Sequence, residues 1–130
     1  MIDPRVQSTI AHIENNFDQE LTPDLLAKAV NLSTSRLCHL FKSETNMGPL
    51  QYLRTVRMQR AKQLLETTFL SVKQIMIEVG LKDESHFIRD FKVIYGLPPA
   101  KFRTQFLLKR SSENPNGAPR QNRPQDSSIG

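Results

Sequence analysis

A chain of 130 residues is long enough for one domain or two very small ones, and its formal net charge of +5 favours a polyanionic partner, nucleic acid before a membrane surface. A basic protein without such a partner accounts for the charge equally well. The single cysteine excludes an internal disulfide, and no apolar run approaches the ~20 residues of a membrane span, so we expect a cytoplasmic protein.

Helix start signals and apolar spacing predict three helices in residues 1–48. Asp3-Pro4 and Thr22-Pro23 each place a capping side chain before a proline, which is favoured in the first turn of a helix. Ser33 can cap a third helix, and Asn31, which tolerates left-handed geometry, can end the second. The expected inner faces are Val6, Ile10, Ile13 and Phe17, then Leu25, Leu26, Ala29 and Val30, then Leu37, Leu40 and Phe41.

A longer helix is expected at residues 49–67, after a break at Asn46-Met47-Gly48-Pro49. Its length and position indicate a connector between two halves of the chain. The surface of this helix is strongly basic. Its expected core stripe consists of Leu50, Leu53, Met58, Ala61, Leu64 and Leu65.

The stretch after the connector predicts a helix, a sharp turn and a second helix. Ser71-Val72-Lys73-Gln74 has the spacing of a capping box at the start of the first of these helices. Gly80 can adopt the left-handed geometry that ends it, and Asp83 can cap the next helix. This is the helix-turn-helix pattern, although many other helical hairpins share it. Aromatic residues four apart form the inner face of the second helix: Phe87, Phe91 and Tyr95.

A last helix is expected to end near Leu108, with Phe102 and Phe106 on its inner face. Residues 109–130 are predicted to be a disordered tail, because their polar, proline-containing composition cannot bury enough apolar surface to offset the entropy of ordering. The predicted fold is all-α with about seven helices. Residues 1–108 form one domain, divided into a first unit at 1–48, the connector at 49–67 and a second unit at 68–108.

The chain contains an internal repeat. At an offset of 49 residues, Thr22 corresponds to Ser71 and Asn31 to Gly80. After a one-residue insertion the offset is 50, and Phe41 corresponds to Phe91, Asn46 to Gly96 and Pro49 to Pro99. A chance hairpin explains one copy but does not easily explain two with caps, turn residues and prolines in the same register. We therefore interpret the chain as two helix-turn-helix units.

The second unit resembles the signature of the AraC/XylS-type family of bacterial transcription regulators. The resemblance covers about residues 3–108. In the second unit the matching residues are Gly80, Asp83, Ser85, His86, Phe87, Arg89, Phe91, Lys92, Gly96, Pro99, Phe102 and Arg103. In the first unit they are Ala27, Leu32, Ser33, Ser35, Arg36, Leu37, Leu40, Phe41, Lys42, Pro49, Tyr52, Leu53, Arg57 and Ala61.

This resemblance implies a transcription regulator, of activator type, that places one helix of each unit in one of two successive major-groove segments of double-stranded DNA. The candidates for base contact are Ser35, Arg36, Cys38 and His39 in the first unit and Glu84, Ser85, His86 and Arg89 in the second. Arg89 can bind guanine through two hydrogen bonds, and Glu84 can accept one from cytosine. The alternatives are a phosphate contact or a salt bridge to Asp90 or Glu78 for Arg89, and a helix-dipole partner for Glu84. We favour base contact for Arg89, while both interpretations of Glu84 stay open.

The candidates for phosphate contact are Lys42, Gln51, Lys92, Lys101 and Arg103. Gln51 and Lys101 lie near helix starts, where backbone N–H groups also favour anions. Arg57 is expected on the core side of the connector, paired with an acidic side chain rather than with DNA.

Enzyme activity is not expected. Cys38 and His39 are neighbours on a helix and diverge by about 100°, so they cannot share a proton there. We expect no cofactor and no metal. RNA polymerase is a further expected partner, and the domain is expected to be monomeric on its own. The alternative function is a protein-interaction module that uses the same fold on an acidic partner.

Overall fold

The computed structural model describes residues 2–113, and that range forms seven α-helices and no strand. The helices are α1 (Pro4–Asn16), α2 (Pro23–Ala29), α3 (Thr34–Thr45), α4 (Pro49–Thr67), α5 (Val72–Glu78), α6 (Glu84–Tyr95) and α7 (Pro99–Glu113). α2 and α3 form the first helix-turn-helix, α5 and α6 form the second, and α4 connects them. The predicted all-α class with two units and a connector is confirmed.

The last helix is longer than the sequence predicted. It continues to Glu113 instead of ending near Leu108, so residues 109–113, assigned to the tail, are helical. Leu107 and Leu108 are exposed, which means that these turns continue without burial in the core. Lysine and arginine are good helix formers, and the guanidinium of Arg110 lies 5.9 Å from the ring centre of Phe106. The rest of the predicted tail, residues 114–130, lies outside the described residues.

Side chains at the helix starts form the predicted caps. The hydroxyls of Thr22 and Ser33 accept hydrogen bonds from backbone N–H groups three residues later. Ser71 and Gln74 form a reciprocal capping box. The carboxylate of Asp83 accepts from the N–H of His86 at 3.0 Å. Each cap satisfies amides that the helix itself leaves unpaired, and so fixes the residue at which the helix begins.

The backbone repeats at the turns as the sequence repeats. Asn31 and Gly80, 49 residues apart, both have positive φ, at 58° and 88°. Asn46 and Gly96 end α3 and α6 in the same left-handed region. The residue after each of the turns at Asn31 and Gly80 donates its backbone N–H to a carbonyl oxygen five residues earlier. Leu32 donates to Ala27 and the equivalent Leu81 donates to Met76, both at 3.0 Å.

Two apolar clusters form the core, and α4 contributes to both. Leu53, near the start of α4, belongs to the first cluster. Four later residues of α4 belong to the second cluster: Met58, Ala61, Leu64 and Leu65. Three residues predicted for inner faces are instead exposed: Leu25 and Leu50, at 52% and 45%, and Ala29. Leu25 and Leu50 lie in the first turn of a helix that begins with proline, before the periodic face meets its partner. In α2 the buried alanine is Ala27 rather than Ala29. The first cluster is Val6, Ile13, Leu26, Ala27, Leu37, Phe41 and Leu53. The second is Met58, Ala61, Leu64, Leu65, Ile75, Met76, Val79, Phe87 and Phe91.

The end of α1 lies between the two units. The side chain of Phe17 packs against both apolar clusters. A Cβ atom added to Gly80 would lie 2.8–2.9 Å from backbone atoms of Asp18, so the turn of the second unit approaches this segment backbone to backbone. Gly80 therefore meets two requirements, a positive φ and the absence of a side chain.

We expect Phe41→Ala and Phe87→Ala each to lower the free energy of unfolding by about 3–5 kcal/mol, because both rings are buried and their truncation leaves a cavity. Urea unfolding of each variant measures the change. Phe69→Ala is the matched control, since the Phe69 side chain is fully exposed and its loss should change stability by less than about 0.5 kcal/mol. An unchanged midpoint for Phe41→Ala or Phe87→Ala would contradict the packing.

Gly80→Ala and Gly96→Ala separate the two requirements at Gly80. Both glycines have φ near 87°, but nothing lies within 4 Å of a Cβ added at Gly96. Gly96→Ala should cost about 1–2 kcal/mol for the left-handed backbone alone. Gly80→Ala should cost a further ~1–3 kcal/mol for the overpacked contact with Asp18. Equal losses in urea unfolding would show that Asp18 moves away freely.

Candidate nucleic-acid interface

The first candidate surface is the outer face of α3. The burial of Leu37 and Phe41 turns the opposite side of the helix to solvent. Ser35, Arg36 and His39 are exposed there, as predicted for base contact. Cys38 is only partly exposed and its thiol is free, so it lies at the edge of this surface rather than at its centre. Lys42 is exposed one turn beyond Cys38.

The second candidate surface is the outer face of α6. Phe87 and Phe91 are buried and make an edge-to-face contact at 6.1 Å between ring centres, which fixes the rotation of the helix about its axis. Lys92 is exposed as well. The four predicted base-contact residues of this helix, Glu84, Ser85, His86 and Arg89, are all exposed.

A charged link joins α6 to the connector. One carboxylate oxygen of Asp90 lies 3.7 Å from Nε2 of His86 and 3.8 Å from Nη1 of Arg54. Among the ion pairs in residues 2–113 none includes Arg89, so neither Asp90 nor Glu78 holds Arg89 by a salt bridge. The Asp90 carboxylate lies near His86 and Arg54 instead. The sequence alone predicts only that Arg54 belongs to a basic helix. Its contact with Asp90 joins two helices that are distant in sequence, so no local pattern indicates it.

The first turns of α4 and α7 are candidate phosphate sites. Gln51 and Lys101 are the third residues of these helices, 50 apart in sequence, and both are exposed. Gly48, the N-cap of α4, supplies no capping side chain. The first amides of α4 are therefore free of a side-chain cap, and such amides favour an anion together with the helix dipole.

Arg103 is placed differently from the other phosphate candidates. Its Nε donates to the carbonyl oxygen of Leu65 and its Nη2 to that of Thr68, both at 3.1 Å. These carbonyls belong to the end of α4, where the helix leaves acceptors without partners and the dipole favours a cation. The side chain is partly buried in this position. The geometry makes Arg103 a structural clamp between α7 and α4, while its predicted phosphate contact stays a prediction.

Arg57 makes the same kind of contact at the end of α1. Its Nε donates to the carbonyl oxygen of Phe17 at 2.7 Å and its Nη2 to that of Gln19 at 2.9 Å. The predicted acidic partner is thus replaced by backbone carbonyls. Burial lowers the pKa of Arg57, while the nearby Asp18 carboxylate acts in the opposite direction. The side chain faces the core side of the connector, as expected.

In residues 2–113 no three side chains of His, Cys, Asp or Glu are grouped so that they could hold a metal ion. None of the described helices combines the length and the apolar character needed to cross a bilayer.

Comparison with known proteins identifies the family. A family model described as a helix-turn-helix domain matches residues 26–105. A transcriptional regulator from Chromobacterium violaceum with an AraC-type DNA-binding domain has a similar structure, with 29% identity, a TM-score of 0.74 and coverage of 79% of this chain and 92% of that one. The chain belongs to the AraC-type family of helix-turn-helix transcription regulators. The match to the family model covers α3, α4, α5 and α6 of this AraC-type chain in full, and parts of α2 and α7.

Curated AraC-type relatives are longer than this chain. The Msm operon regulatory protein of Streptococcus mutans is 37% identical over 93 residues, which are 72% of this chain and 34% of that protein. The lactose operon transcription activator of Staphylococcus xylosus is 30% identical over 108 residues, 83% of this chain and 39% of the activator. The chain thus spans between a third and two fifths of these relatives. The DNA-binding domain of AdpA, solved in complex with a target DNA, shares the fold, with a TM-score of 0.77, 24% identity and coverage of 88% of this chain and 100% of that one.

Proposed function

We propose that this chain is the DNA-binding part of a bacterial transcription regulator and that α3 and α6 read two successive major-groove segments of duplex DNA. The proposal rests on a structural feature that occurs once in each unit. In each unit a left-handed turn leads into a helix whose inner face is buried through a phenylalanine and whose outer face is polar. Two such helices on one connector match the two-part layout of a double-stranded site.

The length of the connector supports this layout. α4 has 19 residues and is therefore about 28 Å long at ~1.5 Å per residue. Successive major-groove segments on one face of DNA are roughly 34–36 Å apart. Since the two units are anchored at opposite ends of α4, their recognition helices can span that repeat with a small additional offset or with bending of the DNA.

The outer faces carry side chains suited to base edges. Arg36 and Arg89 can each make two hydrogen bonds with guanine, and Glu84 can accept one from cytosine. In the proposal Ser35, Ser85, Cys38, His39 and His86 add contacts whose base preference is weaker. His86 lies 3.7 Å from the Asp90 carboxylate on the same face of α6.

The phosphate contacts in the proposal come from Lys42, Gln51, Lys92 and Lys101, all of which are exposed. These residues position the domain on DNA without reading its sequence. The proposal does not depend on Arg103, two of whose N–H groups donate to carbonyl oxygens of the protein.

We further propose that the protein acts in the cytoplasm as an activator, binds DNA through a domain that is monomeric on its own, and contacts RNA polymerase. Support for activation comes from the Staphylococcus xylosus relative, which is named as a transcription activator. The matched relatives are named as transcription regulators, which favours DNA over an acidic protein partner and over an enzymatic role.

Selection of bound sites from random duplex DNA tests the proposal. The expected result is a motif with two conserved blocks whose centres are one helical turn apart, about 10–10.5 base pairs. Binding to that motif should weaken steeply with salt, and should exceed binding to bulk DNA by at least about a thousandfold. An acidic protein partner would leave the selection without any enriched motif.

Arg89→Ala and Lys92→Ala should weaken binding in different ways. Arg89→Ala is expected to cost about 1–3 kcal/mol on the selected site and to relax preference at a single position, a guanine. Lys92→Ala should weaken all sequences alike and reduce the slope of log K against log salt by about one. Titrations of the site and its single-base variants at several salt concentrations measure both effects. If Arg89→Ala weakened every sequence equally, Arg89 would be a phosphate contact.

A further inference from the structure

The segment that ends α1, Phe17-Asp18-Gln19, contacts the first unit, the connector and the second unit. The ring of Phe17 packs against both apolar clusters. The carbonyls of Phe17 and Gln19 accept hydrogen bonds from Arg57 of α4. The backbone of Asp18 lies against Gly80, in the turn between α5 and α6. This three-way contact is called the α1 junction below.

The α1 junction closes a loop of contacts between the two units. α4 alone would link them through one helix, about which each unit could tilt or twist. α1 is part of the first unit, since Val6 and Ile13 lie in the first cluster, and its end reaches the turn that leads into α6. A third hydrogen bond holds α1 on the connector, from the hydroxyl of Tyr52 to Glu14 at 2.6 Å.

Arg57 is the polar fastening of the junction. Its two donors fix the direction in which the chain leaves α1, and with it the position of Asp18 against Gly80. The guanidinium is planar and presents these donors in a rigid fork, which a lysine ammonium cannot reproduce. The hydrogen bond to Phe17 is partly buried, so the loss of Arg57 would leave a half-buried carbonyl oxygen without its donor.

Rigidity between the units has a consequence on DNA. Inserting one base pair between two half-sites rotates one against the other by about 35° and moves it by ~3.4 Å. Two recognition helices held in one rigid body cannot follow this change and keep both sets of base contacts. Two loosely connected units could follow it, at little cost in affinity.

We propose that Arg57 is a positioning residue that sets the distance and angle between α3 and α6, and through them makes the protein discriminate the spacing of its half-sites. This inference rests on the proposed function, two-part reading of duplex DNA. Arg57 touches no base in it. Through the α1 junction it sets the position of α6 relative to α3.

The experiment compares three DNA probes, the selected site and its versions with one base pair added or removed between the half-sites. Fluorescence anisotropy gives the Kd of each probe for the full chain at one salt concentration. The wild type is expected to bind the altered probes at least about tenfold more weakly, because one set of base contacts is lost. Arg57→Gln is expected to reduce that ratio to about threefold or less, and Arg57→Lys to an intermediate value.

Arg103→Gln is the matched control. Arg103 also donates through Nε and Nη2 to two carbonyls at the end of a helix, but it joins α7 to α4 and makes neither of these bonds to α1. Its loss should lower the melting temperature as the loss of Arg57 does, yet leave the spacing ratio at the wild-type value. All titrations are run at a temperature at which circular dichroism shows each variant to be folded.

The outcomes separate the two proposals. A wild type that prefers no DNA sequence would reject the proposed function. A wild type that prefers one sequence but tolerates altered spacing would overturn the positioning role and leave the function intact. The role is also overturned if Arg57→Gln keeps the wild-type ratio, or if Arg103→Gln loses it as well. Should Arg57→Gln not fold, Arg57→Lys decides by the same ratio.

Discussion

Neither helix-turn-helix unit can complete its core without the connector, and this constraint shapes the whole domain. A unit of about 48 residues is too small to bury a sufficient apolar surface by itself. Leu53 fills the first cluster, and Met58, Ala61, Leu64 and Leu65 fill the second. One helix thus contributes buried apolar side chains to both cores. Folding of either unit therefore stabilises the helix that the other requires.

Helices around this shared core also end with unpaired backbone carbonyls, and two arginines bind these carbonyls. At the ends of α1 and α4 the last carbonyls have no partners in the helix. Arg57 and Arg103 each reach across about 40 residues of sequence to bind such carbonyls. Basic residues in a DNA-binding domain are thus divided between two tasks. Those bound to carbonyls hold the frame, and those on α3 and α6 remain available to a polyanion.

Features with local causes could be predicted from the sequence, and those with distant causes could not. The caps at Ser71 and Asp83 and the turns at Asn31 and Gly80 depend on residues within one helical turn, so spacing alone reveals them. The clamp by Arg103 and the link from Arg54 to Asp90 join residues 35 or more positions apart, and no local pattern specifies them. For the same reason the surface faces of α3 and α6 followed from their apolar stripes, whereas no local pattern predicts the carbonyl contacts of Arg57 and Arg103.

The equivalent turns at Asn31 and Gly80 differ in which residues their surroundings allow. Asn31 and Gly80 hold equivalent positions with the same left-handed backbone, but Asn31 is exposed and carries a side chain, while Gly80 faces the backbone of Asp18. The first copy can therefore accept any residue that tolerates this conformation, whereas the second is restricted to glycine. Joining the copies through α1 removed mutational freedom from only one of them. Sequence drift in this chain is accordingly expected to erase the likeness of its halves first at the turn of the first unit.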